Sequence, residues 1–184
     1  GRFFAARFGL ARSGALDARS AYVANAAVGN RNNEALLELT LKGPVLTVLR
    51  DTVIGFAGFG MTCRMNDDDV PTATGVALRK GQQLSFRSTS KGSRAYLAVA
   101  GGFEVQTFRG SVSPDLQGRI GRALGAGDVL GLKTLRGARA GFHSYFAALP
   151  ERALVRLLAG PQATPEALEA LTLQPFTVTS LDRM

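Results

Sequence analysis

The sequence is short of several residue types, and each shortage excludes a class of site. Of its 184 residues, one is a cysteine, Cys63, and one is a histidine, His143. A single cysteine excludes an internal disulfide framework and a site built from several thiolates, and it fits a reducing compartment such as the cytoplasm. A single histidine excludes a His-rich metal cluster and leaves one candidate for a histidine general base. We therefore expect no metal site and a cytoplasmic location.

Long apolar stretches are also missing. Runs such as Tyr96 to Ala100 are short, whereas a membrane-spanning helix needs about 20 apolar residues. The opening residues, Gly1 to Phe4, lack the basic-then-apolar layout of a secretory signal. Hydrophobic residues make up 46% and charged residues 20%, which is ordinary for a globular domain and excludes a disordered chain. No association with a membrane is expected.

The chain is basic, with a formal net charge of +8, and this raises the question of nucleic-acid binding. The arginines are, however, spread along the sequence without a Lys/Arg block or an alternation with aromatic residues typical of an RNA-binding sheet. The spread includes Arg2, Arg7, Arg12, Arg19, Arg31, Arg50, Arg119, Arg122, Arg136 and Arg139. We interpret them as a solvated surface and expect no nucleic-acid partner.

The hydrophobic pattern predicts a mainly β fold. Short segments with apolar residues two apart are separated by Gly, Pro, Asn or Asp, at a spacing typical of a sandwich or barrel. The predicted strands are 37–41, 45–49, 53–57, 61–65, 83–87, 94–100, 128–132 and 153–158, with a hairpin turn at 66–69. Two helices are predicted, at 18–27 after the N-cap Asp17 and at 165–171 after the N-cap Thr164.

A basic, glycine-dotted stretch at residues 133–141 has no apolar periodicity. We interpret it as a linker or surface loop. The sequence therefore predicts a first β-barrel domain over residues 1–140 and the start of a second, incomplete unit over residues 141–184.

Polar side chains in three loops are candidates for binding a ligand. Ser13 and Asp17 frame the Gly14–Leu16 turn, although a turn and a helix cap are the simpler roles for them. Asn25 and Asn30 flank the end of the first predicted helix, where pinning the loop backbone is the alternative. Ser111 and Asp115 share a further loop, where they suit a polar ligand or an Asx or Ser/Thr turn.

Three other features favour structural roles. The glycines of 55–60 lack the spacing and the Lys-Ser/Thr ending of a phosphate loop, so we expect close strand packing there. Asp67-Asp68-Asp69 lacks the layout of a calcium loop and suits a solvated hairpin tip. Cys63, inside a predicted strand, is expected to be a half-buried, inert thiol.

Seven segments in one order and spacing resemble the allophanate hydrolase subunit 2 family, also described as the carboxyltransferase subdomain A/B family. The family includes the C subunit of bacterial 5-oxoprolinase and the antagonist of the Kip kinase inhibitor. The segments are SGALD at 13–17, ANAAVGN at 24–30, LELTLKGP at 37–44, RAYLAVAGGF at 94–103, GS at 110–111, AGDVL at 126–130 and AGPQ at 159–162, before a final DRM.

The resemblance implies a cyclophilin-like β-barrel with few short helices, followed by a second barrel unit. The family begins before the Gly1-Arg2 pair and continues past Met184, so the resemblance implies either an N-terminal fragment of a longer protein or a shortened relative. Ser13, Asp17, Asn25 and Asn30, followed by Ser111 and Asp115, are expected to line a polar pocket. The catalytic residues are not assigned.

The resemblance further implies a subunit of an ATP-dependent enzyme that processes amides or lactams, first of all the C subunit of 5-oxoprolinase. Its partners would be a subunit related to allophanate hydrolase subunit 1 and a third 5-oxoprolinase subunit. ATP would be used by the complex at a site not identified in this chain, which alone is expected to be inactive. Two alternatives stay open. One is an allophanate hydrolase subunit 2 or a urea carboxylase-type carboxyltransferase component, with biotin on a partner, and the other is a non-catalytic regulator that binds a kinase inhibitor.

Overall fold

The structure, a computed structural model, describes residues 1–134, 140–144, 154 and 156–177. These described residues form a short 3-10 helix, Ala6–Phe8, two α-helices and eight strands. The helices are α1 (Ala18–Ala26) and α2 (Pro165–Leu173). The strands are β1 (Leu37–Thr40), β2 (Leu46–Thr47), β3 (Thr52–Gly58), β4 (Met61–Met65), β5 (Asp68–Val70), β6 (Gly75–Leu78), β7 (Gln83–Ser88) and β8 (Arg94–Val99). The mainly β fold with few short helices is confirmed.

The strands form two four-stranded antiparallel sheets, one in the order β1-β8-β3-β6 and the other in the order β2-β7-β4-β5. The main core contains Phe56 and Leu97 from the first sheet with Cys63 and Leu84 from the second. The Phe56 ring lies 5.9 Å from the ring of Phe86. Burying this apolar surface is the main force that holds the sheets together.

Helix α1 covers the opposite face of the first sheet. Ala24 and Val28 pack there against Ala57, Tyr96 and Ala98, whereas the alternate residues of β3 and β8 point into the main core. Successive side chains of a strand point to opposite faces, so strands covered on both faces are apolar throughout. This explains why residues 95–100 read as a continuous apolar run and are all buried.

Gly55 lets α1 approach the sheet closely. A Cβ atom at this position would lie 3.0 Å from Ala27 Cβ and 3.2 Å from Val28 Cγ1, and nearer still to the carbonyl oxygen of Ala24. The glycine is therefore required by a close approach of two backbones, as expected for the 55–60 stretch, which lies largely within β3.

Some predicted elements differ from the structure. The 128–132 strand is wrong: only Leu132 forms a β-bridge, to Phe103. Leu130 and Leu132 pack against the core without a strand ladder, which produces the same alternation. The 45–49 strand shortens to Leu46–Thr47. The predicted 66–69 turn shortens as well, because Asp68 and Asp69 belong to β5 and pair with β4.

The chain divides into two compact units, residues 1–148 and 149–184. The predicted boundary after residue 140 stays a prediction. In the second unit α2 begins after Thr164, whose side chain accepts a hydrogen bond from the Ala167 N–H at 3.2 Å, as predicted. Of the predicted 153–158 strand, residues 153 and 155 lie outside the described residues and the others are not in a strand. Neither α1 nor α2, the α-helices of the described part, is long and apolar enough to cross a membrane.

Candidate functional site

Asp17 caps α1 and ties it to the first sheet. One carboxylate oxygen accepts hydrogen bonds from the backbone N–H groups of Arg19 and Ser20, both at 3.1 Å, and the other accepts from the Ser20 hydroxyl. The N–H of Asp17 donates to the Tyr96 hydroxyl at 2.7 Å. The predicted N-cap is confirmed, and both carboxylate oxygens are engaged in holding the first helical turn.

Tyr96, which the sequence pattern predicts only as an apolar strand residue, extends this network. Its hydroxyl donates to Glu38 Oε2 at 2.9 Å, and the same oxygen accepts from the Leu16 N–H at 2.9 Å. Glu38 Oε1 pairs with Arg94 Nη1 at 3.1 Å. Burial raises the pKa of Tyr96 well above its usual range, so the hydroxyl keeps its proton and acts as a donor.

Arg2 joins the two loops that carry Ser13 and Ser111. The residue is 1% exposed, so it is not part of the solvated basic surface that the sequence suggested. Its Nη1 donates to the Ser13 hydroxyl at 2.8 Å, and its Nη2 donates to the carbonyl oxygen of Ser113. The Nε atom of Arg2 is buried without a hydrogen-bond partner. The guanidinium is thus held by neutral oxygen atoms and carries its charge into the interior.

Ser111 and Asp115 shape the second of these loops. Ser111 is buried, and its hydroxyl oxygen accepts from the Ser113 N–H at 3.2 Å. Asp115 accepts from the Gly118 N–H at 2.9 Å and, with its other oxygen, from the Ala11 N–H at 3.3 Å. The loop is therefore fixed both internally and to the N-terminal segment.

Asn25 and Asn30 form a separate pair. The Asn30 amide donates to Asn25 Oδ1 at 2.9 Å and to the Val99 carbonyl at 2.8 Å, while its oxygen accepts from the Gly101 N–H at 2.8 Å. Asn25, 1% exposed, donates to the Glu34 carbonyl at 3.0 Å. Both side-chain amides therefore hold loop backbone in place, which is the structural alternative to ligand binding that the sequence also allowed.

The candidate residues therefore fall into two groups. Ser13, Asp17, Ser111 and Asp115 lie in two loops, residues 11–17 and 111–115, which Arg2 and Asp115 connect; we call these two loops with Arg2 the loop site. Asn25 and Asn30 lie at the other end of α1, whose nine residues span about 13 Å. The loop site offers hydroxyl and N–H donors beside carbonyl and carboxylate acceptors, a set suited to a small polar molecule.

Ser13 has an unusual backbone within the loop site. Its φ angle is 51°, in the left-handed region that residues with a side chain adopt rarely. Such a conformation persists where the surroundings fix it, as the Arg2 bond does here, and it is more common at functional sites. Ser13 is half-buried, so its hydroxyl is partly accessible.

A shallow cleft of about 510 Å³ lies beside β3 and β6 and is lined by Arg50, Arg79 and Lys133 among others. Its cations already have partners. Arg79 pairs with Asp51 at 2.9 Å, Lys133 pairs with Glu34, and Arg50 donates to the Leu132 carbonyl at 2.8 Å. These three cations are therefore already engaged and are not arranged to bind a phosphate group.

Cys63 and His143 both lie where a structural role explains them. Cys63 is buried in the core, which raises the pKa of its thiol to about 12 and makes it a poor nucleophile. His143 Nδ1 lies 2.8 Å from Thr74 Oγ1 at an isolated β-bridge. Within the described ranges, no three His, Cys, Asp or Glu side chains are grouped to hold a metal ion.

Comparison with known proteins decides the family. Residues 8–184 match the family described as carboxyltransferase domain, subdomain A and B. The chain belongs to this family. The crystal structure of TTHA0988 is 51% identical and superimposes with a TM-score of 0.93, covering all of this chain and 69% of that one.

Two curated relatives of this carboxyltransferase-family chain have names that describe activities. The C subunit of 5-oxoprolinase from Escherichia coli (strain K12) is 37% identical over 126 residues, which cover 66% of this chain and 41% of the relative. The urea amidolyase of Lachancea kluyveri is 37% identical over 128 residues, which cover 67% of this chain and 7% of the relative. The chain thus spans less than half the length of these relatives.

Proposed function

We propose that this chain is the small-molecule-binding part of a 5-oxoprolinase C subunit, which acts in a complex that opens 5-oxoproline to glutamate with ATP. The observation that carries the proposal is the loop site, in which Arg2 brings the Ser13 and Ser111–Asp115 loops together. The relationship to the C subunit of a 5-oxoprolinase supports the choice of substrate.

The chemistry of the loop site suits a lactam. A lactam carbonyl accepts hydrogen bonds and its ring N–H donates one, so a site that discriminates it needs a donor and an acceptor side by side. The Ser13 hydroxyl already accepts from Arg2, which leaves its own proton free to donate to the substrate carbonyl. An oxygen of the 111–115 loop would accept from the ring N–H. The buried positive charge of Arg2 would favour the electron-rich carbonyl and the substrate carboxylate.

The bond-breaking groups are proposed to lie on partner subunits. The loop site binds and orients, but its carboxylates accept backbone hydrogen bonds rather than face a nucleophile. The described residues do not fit ATP either: the glycines of 55–60 pack within and beside β3, and the cations of the cleft have partners. ATP would therefore be bound by the subunit-1-like partner or by a third subunit, in the cytoplasm.

A second candidate is a component of a urea amidolyase or urea carboxylase type, because the urea amidolyase relative is as similar as the 5-oxoprolinase one, at 37% identity. In that case biotin would be attached to a partner. The same loop site would then bind the urea amide, which also presents a carbonyl beside N–H groups.

The test is turnover by the reconstituted complex of the full-length protein with its subunit-1-like and third partners. We expect ATP-dependent formation of glutamate from 5-oxoproline that avidin does not inhibit. Turnover of urea that avidin blocks would instead favour the second candidate. Binding of a kinase inhibitor without any turnover would favour the regulatory alternative.

A substitution then tests the loop site. Ser13→Ala removes one proposed substrate hydrogen bond and should lower kcat/KM by about fivefold, because a bond to substrate is worth on the order of 1 kcal/mol. Ser90→Ala is the matched control, since Ser90 is exposed in the turn after β7. Equal activity of the two variants would remove Ser13 from the substrate site.

A further inference from the structure

An exposed face of the first unit combines phenylalanines with arginines. Phe3, Phe4, Phe8 and Phe108 are 62%, 87%, 54% and 45% exposed. Three exposed arginines, Arg7, Arg12 and Arg109, belong to the same two segments, residues 3–12 and 108–109. We call these seven residues the Arg–Phe face. Phenylalanine is usually buried, so a group of exposed rings marks a surface with a partner.

The guanidinium groups lie over the rings. The Cζ atoms of Arg7 and Arg109 are 4.8 and 4.7 Å from the centre of the Phe8 ring, so two arginines from distant parts of the chain share one ring. The Cζ atom of Arg12 is 4.4 Å from the centre of the Phe3 ring. These contacts hold the guanidinium groups in place and leave their N–H donors free for an incoming acceptor.

The face is almost free of negative charge. Residues 1–16 contain three arginines and no acid, and residues 105–116 contain Arg109 and one carboxylate, Asp115. Asp115 is occupied by two backbone N–H groups. None of the ion pairs among residues 1–134 involves an arginine of the face. Its positive charge is therefore uncompensated within the described part of the chain.

Buried contacts beneath the Arg–Phe face hold its two segments in place. Buried Arg2 lies beneath it, bonded to Ser13 and to the Ser113 carbonyl, with its Cζ atom 6.0 Å from the centre of the Phe108 ring. The same clamp that joins the loop site thus joins the two segments that carry the face. A preformed surface binds with less loss of side-chain and loop entropy than a flexible one.

We propose that the Arg–Phe face docks an acidic polypeptide surface, one that carries Asp or Glu around exposed Leu or Phe side chains. Arginine and aromatic residues are enriched at protein interfaces, and a guanidinium binds a carboxylate through two parallel hydrogen bonds. Charge complementarity therefore selects an acidic partner.

Two other occupants fit less well. A second copy of the chain, docked symmetrically, would place like charges against each other. A nucleic acid would need ring faces for base stacking, but arginines already lie over Phe3 and Phe8.

The test measures the binding of synthetic peptides to the full chain by fluorescence anisotropy. One peptide alternates Glu and Asp with Leu and Phe, a second has Lys in place of each acid, and a third has Ser in place of each Leu and Phe. A single-stranded oligonucleotide is the fourth probe. The proposal predicts that the acidic apolar peptide binds most tightly of the four, and more weakly as salt is raised.

Two charge-reversed proteins then locate the binding. The triple variant Arg7→Glu/Arg12→Glu/Arg109→Glu should bind the acidic apolar peptide about tenfold more weakly, which is about 1.4 kcal/mol, because it loses three exposed ion pairs with the peptide. The matched control, Arg31→Glu/Lys42→Glu/Arg87→Glu, replaces three exposed cations outside the face with the same change of net charge and should lose less than about threefold. Phe8→Ser should also weaken binding, and circular dichroism checks that all variants fold.

Several outcomes would overturn the proposal: no binding of the acidic apolar peptide, equal loss in both triple variants, equal binding of the Ser-substituted peptide, or tighter binding of the oligonucleotide at the same arginines. Equal loss would show general attraction to a basic protein. None of these results depends on the amide that the complex processes, so they are independent of the test of the proposed function.

Discussion

Replacing Gly55 by alanine should destabilise the protein by forcing α1 away from β3. The added Cβ would approach the carbonyl oxygen of Ala24, Ala27 Cβ and Val28 Cγ1 at once. The nearest of these atoms belongs to the helix backbone, so no side-chain rotation relieves the contact. Overpacking of this kind costs about 1–3 kcal/mol. For a chain of this size that loss lowers Tm by roughly 2–12 °C.

The measurement is urea unfolding of the Gly55→Ala variant, followed by circular dichroism, with Gly125→Ala as the matched control. A Cβ at Gly125 meets no atom within 4 Å, and the φ angle of Gly125 lies outside the left-handed region. The control should therefore differ from the parent protein by less than about 0.5 kcal/mol. If Gly55→Ala were as stable as Gly125→Ala, α1 would not pack against β3 as described. The contact between Asp17, at the start of α1, and Tyr96 would then be in doubt as well.

Three further predictions concern single residues. Hydrogen bonds from Arg122 and Gly125 lower the pKa of Asp128 to about 2. The Arg122–Asp128 pair therefore stabilises the fold above about pH 4, and this stabilisation is lost as the pH falls to about 2. The difference in Tm between the parent protein and Asp128→Asn should narrow over that range, and a constant difference would contradict the prediction. Cys63, whose burial raises the thiol pKa to about 12, should react with iodoacetamide only after denaturation; rapid native labelling would refute its burial. Asn25→Ala leaves the Glu34 carbonyl unpaired and should cost about 1–3 kcal/mol in urea unfolding, whereas a loss below about 0.5 kcal/mol would contradict the pinning role.

The strands were predictable where local pattern and burial agree. The bounds of Met61–Met65 match the prediction, and those of β1, β3, β7 and β8 differ by one or two residues. In these segments the side chains alternate between a buried and an exposed face of the sheet, or are buried on both faces. The order of apolar and polar residues therefore reflects burial directly and indicates a strand.

Two strands, β5 and β6, were missed, and for β5 the reason is that tertiary pairing outweighs local propensity. Asp68–Val70 begins with two aspartates that favour a turn, yet it pairs with β4, where Asp69 meets Arg64 at 3.4 Å. The false strand at 128–132 has the opposite cause. Its alternation reflects Leu130 and Leu132 packing on the core, while Asp128 accepts hydrogen bonds from Arg122 and Gly125.

The candidate site was predictable only in part. Asp17 was recognisable as a helix cap because the cap, the helix and its stop signal are adjacent in the sequence. Arg2 was not recognisable, since the carbonyl that it reaches is 111 residues away along the chain. The Arg–Phe face was not recognisable for the same reason, because Arg7 and Arg109 meet at Phe8 only after folding. Residues 3–12 carry most of the face, but Phe108 and Arg109, which complete it, are about a hundred residues away along the chain.

The loop site is tested most directly by hydrogen–deuterium exchange on the reconstituted complex with and without 5-oxoproline. Segments 11–17 and 111–115 belong to one site in this account, so the substrate should slow exchange in both, while segment 66–70 at the β4–β5 turn stays unchanged. Protection in one loop without the other, or in neither of them, would contradict the claim that Arg2 assembles a single site from the two.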